Sequence, residues 1–174
     1  MNNGTEFNKI KNFIDNEWVE ESGVDYVPLY NPSTGETIGE VPLSSPELSK
    51  AAVESSYLAY ENWRHTPLSK RISYLFDMRS AMQTKMEELS VSIAIDQAKH
   101  ISEARGEILR VIEIIEAACN IPSLIQGETL EGISANIVGR VIRQPLGVFG
   151  GIAPFNFPAL VFGLFIPAAI GVGN

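Results

Sequence analysis

A single cysteine, Cys119, stands in a chain of 174 residues, which excludes an internal disulfide framework and fits a reducing compartment, so a cytoplasmic location is expected. Basic residues are short, 13 Lys and Arg against 21 Asp and Glu for a net charge of −8, and a nucleic-acid partner needs the opposite balance. The two histidines, His65 and His100, have no partners at metal or triad spacing; they are expected at the surface, and no metal site is expected. The amino end, "MNNGTEFNKIKNFIDNEW", has neither the apolar core of a signal peptide nor the Arg/Ser-rich character of a transit peptide. Internal repeats, low-complexity tracts and linker-like runs are missing. So is a G-x-G-x-x-G loop, because Gly147, Gly150 and Gly151 have the wrong spacing.

The sharpest absence is local. Arg143 is the last ionisable side chain, and residues 144–174 carry no charge. A compact protein rarely leaves such a stretch in water, so this one is expected to be covered. A membrane-spanning helix would need about 20 apolar residues. Here Pro154, Asn156, Pro158 and Pro167 interrupt the run, and no basic flank follows.

What is present reads as small strands, then helices, then a hairpin, then one strand and one helix: an α/β chain. "NFIDNEWV" predicts two short strands around Asp15-Asn16-Glu17, and "YVPLYNPSTGETIGEVPL" two more around Pro32-Ser33-Thr34-Gly35. Ser45 and Pro46 open a helix with Leu48, Ala52, Ala59 and Trp63 along one stripe. Thr66-Pro67 opens another with Ile72, Leu75, Phe76 and Met82 on a common side, and Met86, Leu89 and Ile93 continue helically. Ser102 starts a further helix whose apolar face is Ile108, Val111, Ile112 and Ile115, stopped by Pro122. "ISANIVGRVIRQP" alternates like a hairpin with its turn near Gly139. "GVFGGIA" reads as a strand buried on both faces, and Pro158 begins a helix running to about Gly171. A plain buried strand and helix would explain Leu160, Val161, Phe162, Phe165 and Ile166.

Between that strand and that helix stands "APFN". Ligands of open α/β sheets gather at strand carboxyl ends, where helix amino termini point. Pro154 and Pro158 restrict the backbone on either side of Asn156. A fixed amide is what stabilisation of an oxyanion requires, although a lone Asn in a loop is usually a turn residue.

"QPLGVFGGIAPFNFPALVFGLFIPAAIGVGN" resembles the aldehyde dehydrogenase superfamily, whose I-x-P-W/F-N-F-P segment forms the nicotinamide side of the active site. "NFIDNEWVE", "YNPSTGETIGEVP" and "SEARGEILRVIE" extend the resemblance in order along the chain. "CNIPSLIQGETL" with "APFNFP" is most similar to the CoA-acylating methylmalonate/malonate-semialdehyde dehydrogenases. The resemblance implies the amino-terminal part of an NAD-binding, Rossmann-like domain. Residues 1–126 would be its strands and helices, 127–145 an oligomerisation hairpin arm, and 146–174 the first core strand and helix, truncated.

In that family a cysteine thiolate attacks the aldehyde, hydride passes to NAD, and the thioester is released to water or coenzyme A. By resemblance, Asn156 donates its amide to the tetrahedral oxygen; Ile152, Ala153, Pro154 and Phe155 line the nicotinamide-ribose pocket; Phe157 lies in the aldehyde channel. Arg110 matches a substrate-carboxylate arginine, with a solvent-facing arginine paired to Glu107 or Glu113 as the other reading. Ala98 stands where the family usually has Gly. The family's cofactor lysine, nucleophilic cysteine and general-base glutamate have no counterparts here, and Cys119 is read as a small core residue. The expectation is therefore an inactive amino-terminal fragment of a homo-oligomeric enzyme acting on a small aldehyde with NAD and coenzyme A. A non-catalytic assembly module and a non-acylating aldehyde dehydrogenase are the alternatives.

Overall fold

The computed structural model describes residues 8–174, so the reading of the extreme amino end as leaderless lies outside the described residues. Two hairpins come first. β1 (Asn12–Ile14) and β2 (Glu17–Val19) pair with Phe13 opposite Trp18 across Asp15 and Asn16, both at positive φ, which matches the right-handed twist of a two-residue turn. β3 (Tyr26–Tyr30) and β4 (Thr37–Pro42) pair antiparallel, with Gly35 at φ 75° completing the expected turn.

Helix α1 (Pro46–Trp63) starts as its sequence requires: the Ser45 side chain accepts from the Leu48 N–H at 3.1 Å, and Pro46 takes a position where its missing N–H costs nothing. Its inner residues are Leu48, Ala52, Tyr60 and Trp63; Ala59 faces out, displaced by the larger Tyr60, whose hydroxyl reaches the Pro145 carbonyl.

The core is built by α2 (Leu68–Thr84), α3 (Met86–Gln97) and α4 (Ile101–Ala118), with the short α5 (Ile121–Leu124). Helix α4 lies at the centre. Val111, Ile115 and Ala118 meet Ile72 and Leu75 of α2 and Ile121 of α5, while Ala104, Ile108 and Ile112 meet Ile93 of α3. The expected face of α4 is therefore the observed one. Three local details differ. His100 caps α4 through its ring nitrogen instead of Ser102, Pro122 begins α5 instead of stopping α4, and Phe76 points to solvent. His65 and His100 are both exposed.

The arm, β5 (Glu128–Ser134) with β6 (Ile137–Val141), turns at Ala135-Asn136, where Asn136 has φ 63°; Gly139 lies inside β6. All of β5 is exposed. The expectation of a doubly buried strand over residues 147–153 is corrected. The segment has no strand partner among the described residues, and Ile152 is 99% exposed. A strand forms only against a neighbour that accepts its ladder, and the described sheets are three separate antiparallel pairs. Helix α6 (Leu160–Val172) follows, starting two residues beyond Pro158. No helix among the described residues is long and apolar enough to cross a membrane.

Candidate active site

Helix α6 is apolar on every side, and it docks on α2 and α4 along a face centred on two glycines and a proline. Gly163, Pro167 and Gly171, four apart and so on one face, are its buried positions. A Cβ on Gly163 would lie 2.9 Å from Val111 Cγ1, and one on Gly171 would strike Ile121, so these glycines permit the close approach. Phe162, Leu164 and Phe165 are left outside, contrary to a simple buried helix.

With no charge of its own, α6 borrows one at each end. At its amino end, Glu107 of α4 accepts from the backbone N–H groups of Ala159 (2.9 Å) and Leu160 (3.1 Å). At its carboxyl end, buried Arg71 of α2 donates from Nε to the Gly171 carbonyl (3.1 Å) and from Nη1 to the Thr66 carbonyl (2.6 Å). Trp63 Nε1 reaches the Ile170 carbonyl at 3.2 Å. An anion at the positive end and a cation at the negative end both complement the helix dipole. Burial lowers the Arg71 pKa, yet a guanidinium stays charged in proteins. The side-chain oxygen of Asn174 accepts from the N–H groups of Leu146 (2.7 Å) and Gly147 (3.1 Å), closing the segment on itself.

Asn156 sits in the turn that enters α6, between Pro154 and Pro158, with its side chain exposed and without a hydrogen-bond partner among the described residues. Its carbonyl is held: Lys99 Nζ donates to it at 2.9 Å and forms an ion pair with Glu107 at 2.6 Å. Ile152, Pro154 and Phe155 stand open beside it and Ala153 is half-buried; Phe157 turns the other way, its ring centroid 4.4 Å from Lys99 Nζ. A cavity of about 550 Å³ lies between the backbone of Phe149, Gly150, Gly151 and Ile152 and the outer face of α6 at Val161 and Phe165; Asn156 is not in its wall. Gly151 matters there, because a Cβ would lie 2.7 Å from the Phe165 ring and fill the gap. The amino end of α6 is not free for a phosphate, since Glu107 already fills it.

Arg110 lies one turn beyond Glu107 on α4, exposed, and pairs with Glu113 at 2.7 Å. Glu107 turns inward and is not its partner. Cys119 is half-buried at the end of α4; burial raises its pKa, Arg79 opposes and Glu116 adds to the rise, so it is a protonated packing thiol at neutral pH.

The sequence offers Glu107 only as a partner for Arg110, and gives Lys99 no role. The available signal was Glu107 falling within the apolar stripe of Ala104, Ile108, Val111 and Ile115. A carboxylate there must be paired or capped.

Residues 18–174 match the model of the "Aldehyde dehydrogenase family". The chain is 39% identical over 170 residues to malonate-semialdehyde dehydrogenase of Bacillus cereus (strain AH187), covering 98% of this chain and 35% of the relative. It is 41% identical to malonate-semialdehyde dehydrogenase 2 of Shouchella clausii (strain KSM-K16), with the same coverage. The chain thus spans about a third of the length of the curated relatives it matches. Among solved structures it is similar to one from Sinorhizobium meliloti 1021, assigned as a methylmalonate-semialdehyde dehydrogenase and complexed with NAD. That match has a TM-score of 0.94 at 33% identity, over 98% of this chain and 35% of the other. The methylmalonate-semialdehyde dehydrogenase of Oceanimonas doudoroffii also gives a TM-score of 0.94, at 32% identity over 97% of this chain and 34% of that one. An amide between two prolines and a helix steered from both ends therefore belong to a mixed α/β chain that is a member of the aldehyde dehydrogenase family.

Proposed function

We propose that this chain supplies the oxyanion amide and one wall of the cofactor cleft to an NAD-dependent dehydrogenase acting on malonate or methylmalonate semialdehyde. The observation that carries this reading is Asn156 itself: an exposed, unengaged carboxamide on a turn that two prolines restrict and an ammonium holds. Names of the relatives support the substrate class, and the NAD in one of them supports the cofactor.

When a cysteine thiolate adds to the aldehyde carbonyl, negative charge collects on oxygen. The Asn156 amide is positioned to meet it, and a donor of this kind is worth on the order of 10²–10³ in rate. Bound NAD would accept the hydride. Ile152, Phe155 and the glycine backbone before them would exclude water from the nicotinamide side. Arg110 would hold the substrate carboxylate, for which its planar fork is suited. The thioester so formed would pass to coenzyme A, the CoA thiol displacing the cysteine; water is the alternative acceptor. Cys119, half-buried against the core at the end of α4, does not serve as nucleophile, so these 174 residues alone are expected to form no NADH.

The test joins this chain to the remaining two thirds of the Bacillus cereus relative. Asn156→Ala should lower kcat on the order of 10²-fold with the KM for NAD near its starting value. Arg110→Gln should raise KM for the charged semialdehyde far more than for propanal. An unchanged kcat in the first variant would overturn the role of Asn156; equal effects on both aldehydes in the second would overturn the substrate class.

The exposed β5–β6 arm favours a further role in assembly, since an open apolar edge seeks another strand. A homo-oligomer is proposed on that basis.

A further inference from the structure

We infer that Lys99 is a positioning residue for the Asn156 amide, with Glu107 holding its ammonium in place. This rests on the reading of Asn156 as the oxyanion donor.

The case begins with how the lysine is delivered. Helix α3 ends at Ala98 in the left-handed conformation, φ 52° and ψ 27°, so the chain reverses there and sends Lys99 toward the entry of α6. Its side chain is 14% exposed, which is low for a lysine, and that of Glu107 is 1% exposed. The ammonium meets three different groups: Glu107 Oε2 at 2.6 Å, the Asn156 carbonyl at 2.9 Å and the Phe157 ring at 4.4 Å from its centroid. A carboxylate, a carbonyl dipole and an aromatic face all favour a cation, so Nζ is confined on several sides.

Glu107 completes the arrangement with its other oxygen, which accepts from the Ala159 and Leu160 N–H groups. One carboxylate therefore anchors the backbone directly at 159–160 and, through Lys99, at Asn156. Pro158 lies between the anchors, fixing its own φ and restricting Phe157. The peptide plane that follows Asn156 is held at its oxygen, at both neighbouring residues and at the helix start. The Asn156 side chain itself has no partner among the described residues, so the backbone alone sets where its Cα–Cβ bond presents the amide. Removing the ammonium frees the carbonyl and lets the amide swing.

A merely structural pair would dock α6 without governing the amide, and two readouts separate these roles. The first is the backbone order at Asn156, measured by amide relaxation and HN–Hα coupling in the isotope-labelled 174-residue chain. An ordered backbone is expected in the wild type and in Lys99→Arg, and a mobile one, with α6 still ordered, in Lys99→Met. An equally ordered backbone in Lys99→Met overturns the inference. The second uses the joined dehydrogenase described above. There Lys99→Met should lower kcat on the order of 10²-fold, the loss expected for a displacement of about 1 Å, at unchanged KM for NAD. Lys99→Arg should recover most of it, because it keeps both the charge and the reach. If Asn156→Ala lowers kcat while Lys99→Met does not, the lysine is structural and the inference fails alone. If Asn156→Ala has no effect, the reading of Asn156 fails, and the backbone measurement still decides what Lys99 does.

Discussion

Two regions of this molecule use apolar residues in opposite ways. In the α2–α4 core, large side chains face inward: Ile108 and Ile115 are fully buried, and Leu75 nearly so. In the 146–174 segment, Gly163, Pro167 and Gly171 touch the core with Leu160, Ile170 and Val172 partly buried beside them, while Phe149, Ile152 and Phe155 stand in water. The core is therefore held by area removed from water, and the segment adds close backbone approach and buried charges at its helix ends to a smaller apolar contact. The proposed oxyanion amide sits on the second kind of structure. An amide that must face a reacting centre cannot be packed into a core, and its backbone is held from beneath instead.

This contrast can be broken most strongly by matched apolar substitutions. Ile108→Ala should cost about 2–5 kcal/mol, whereas Ile152→Ser should change stability by no more than about 0.5 kcal/mol. Chemical denaturation of both would show it, and comparable losses would erase the distinction. Glycines give a sharper pair. Gly163→Ala drives a methyl into Val111 and should destabilise by about 1–3 kcal/mol, while Gly106 of α4 has open space around its Cβ direction, so Gly106→Ala should stabilise by up to about 1 kcal/mol. Opposite signs in thermal midpoints are the expected outcome; equal signs would mean that α6 is not seated on its glycine face. Smallest is Ala98→Gly, which relieves a left-handed alanine and should gain about 0.5–1 kcal/mol. A loss there would show the alanine methyl packing usefully.

The sequence made the core legible because its helices announce themselves. Ser45-Pro46 marks a start by its capping chemistry, and the 3.6-residue period of Ile108, Val111, Ile112 and Ile115 names the buried face correctly. Asp15-Asn16 and Gly35 were equally plain as turns. Where the reading slipped, a tertiary partner decided. Ala59 lost its place to Tyr60, Phe76 faces solvent, and residues 147–153 have no strand to pair with among the described residues. At the site, Pro154-Phe155-Asn156-Phe157-Pro158 was visible as a constrained turn. Lys99 and Glu107 were not, because they lie far from that turn along the chain, and only folding brings a helix-stripe carboxylate and a post-helix lysine to it.

Native-state hydrogen exchange of the α6 amides in the 174-residue chain, wild type against Glu107→Ala, tests most directly whether the amide-bearing turn owes its place to charges lent by the core. Protection across α6 should fall well before any loss in α2 and α4, because the carboxylate that holds the turn and the first N–H groups of α6 is gone. Equal loss of protection in α6 and α4, or no loss in either, would contradict it.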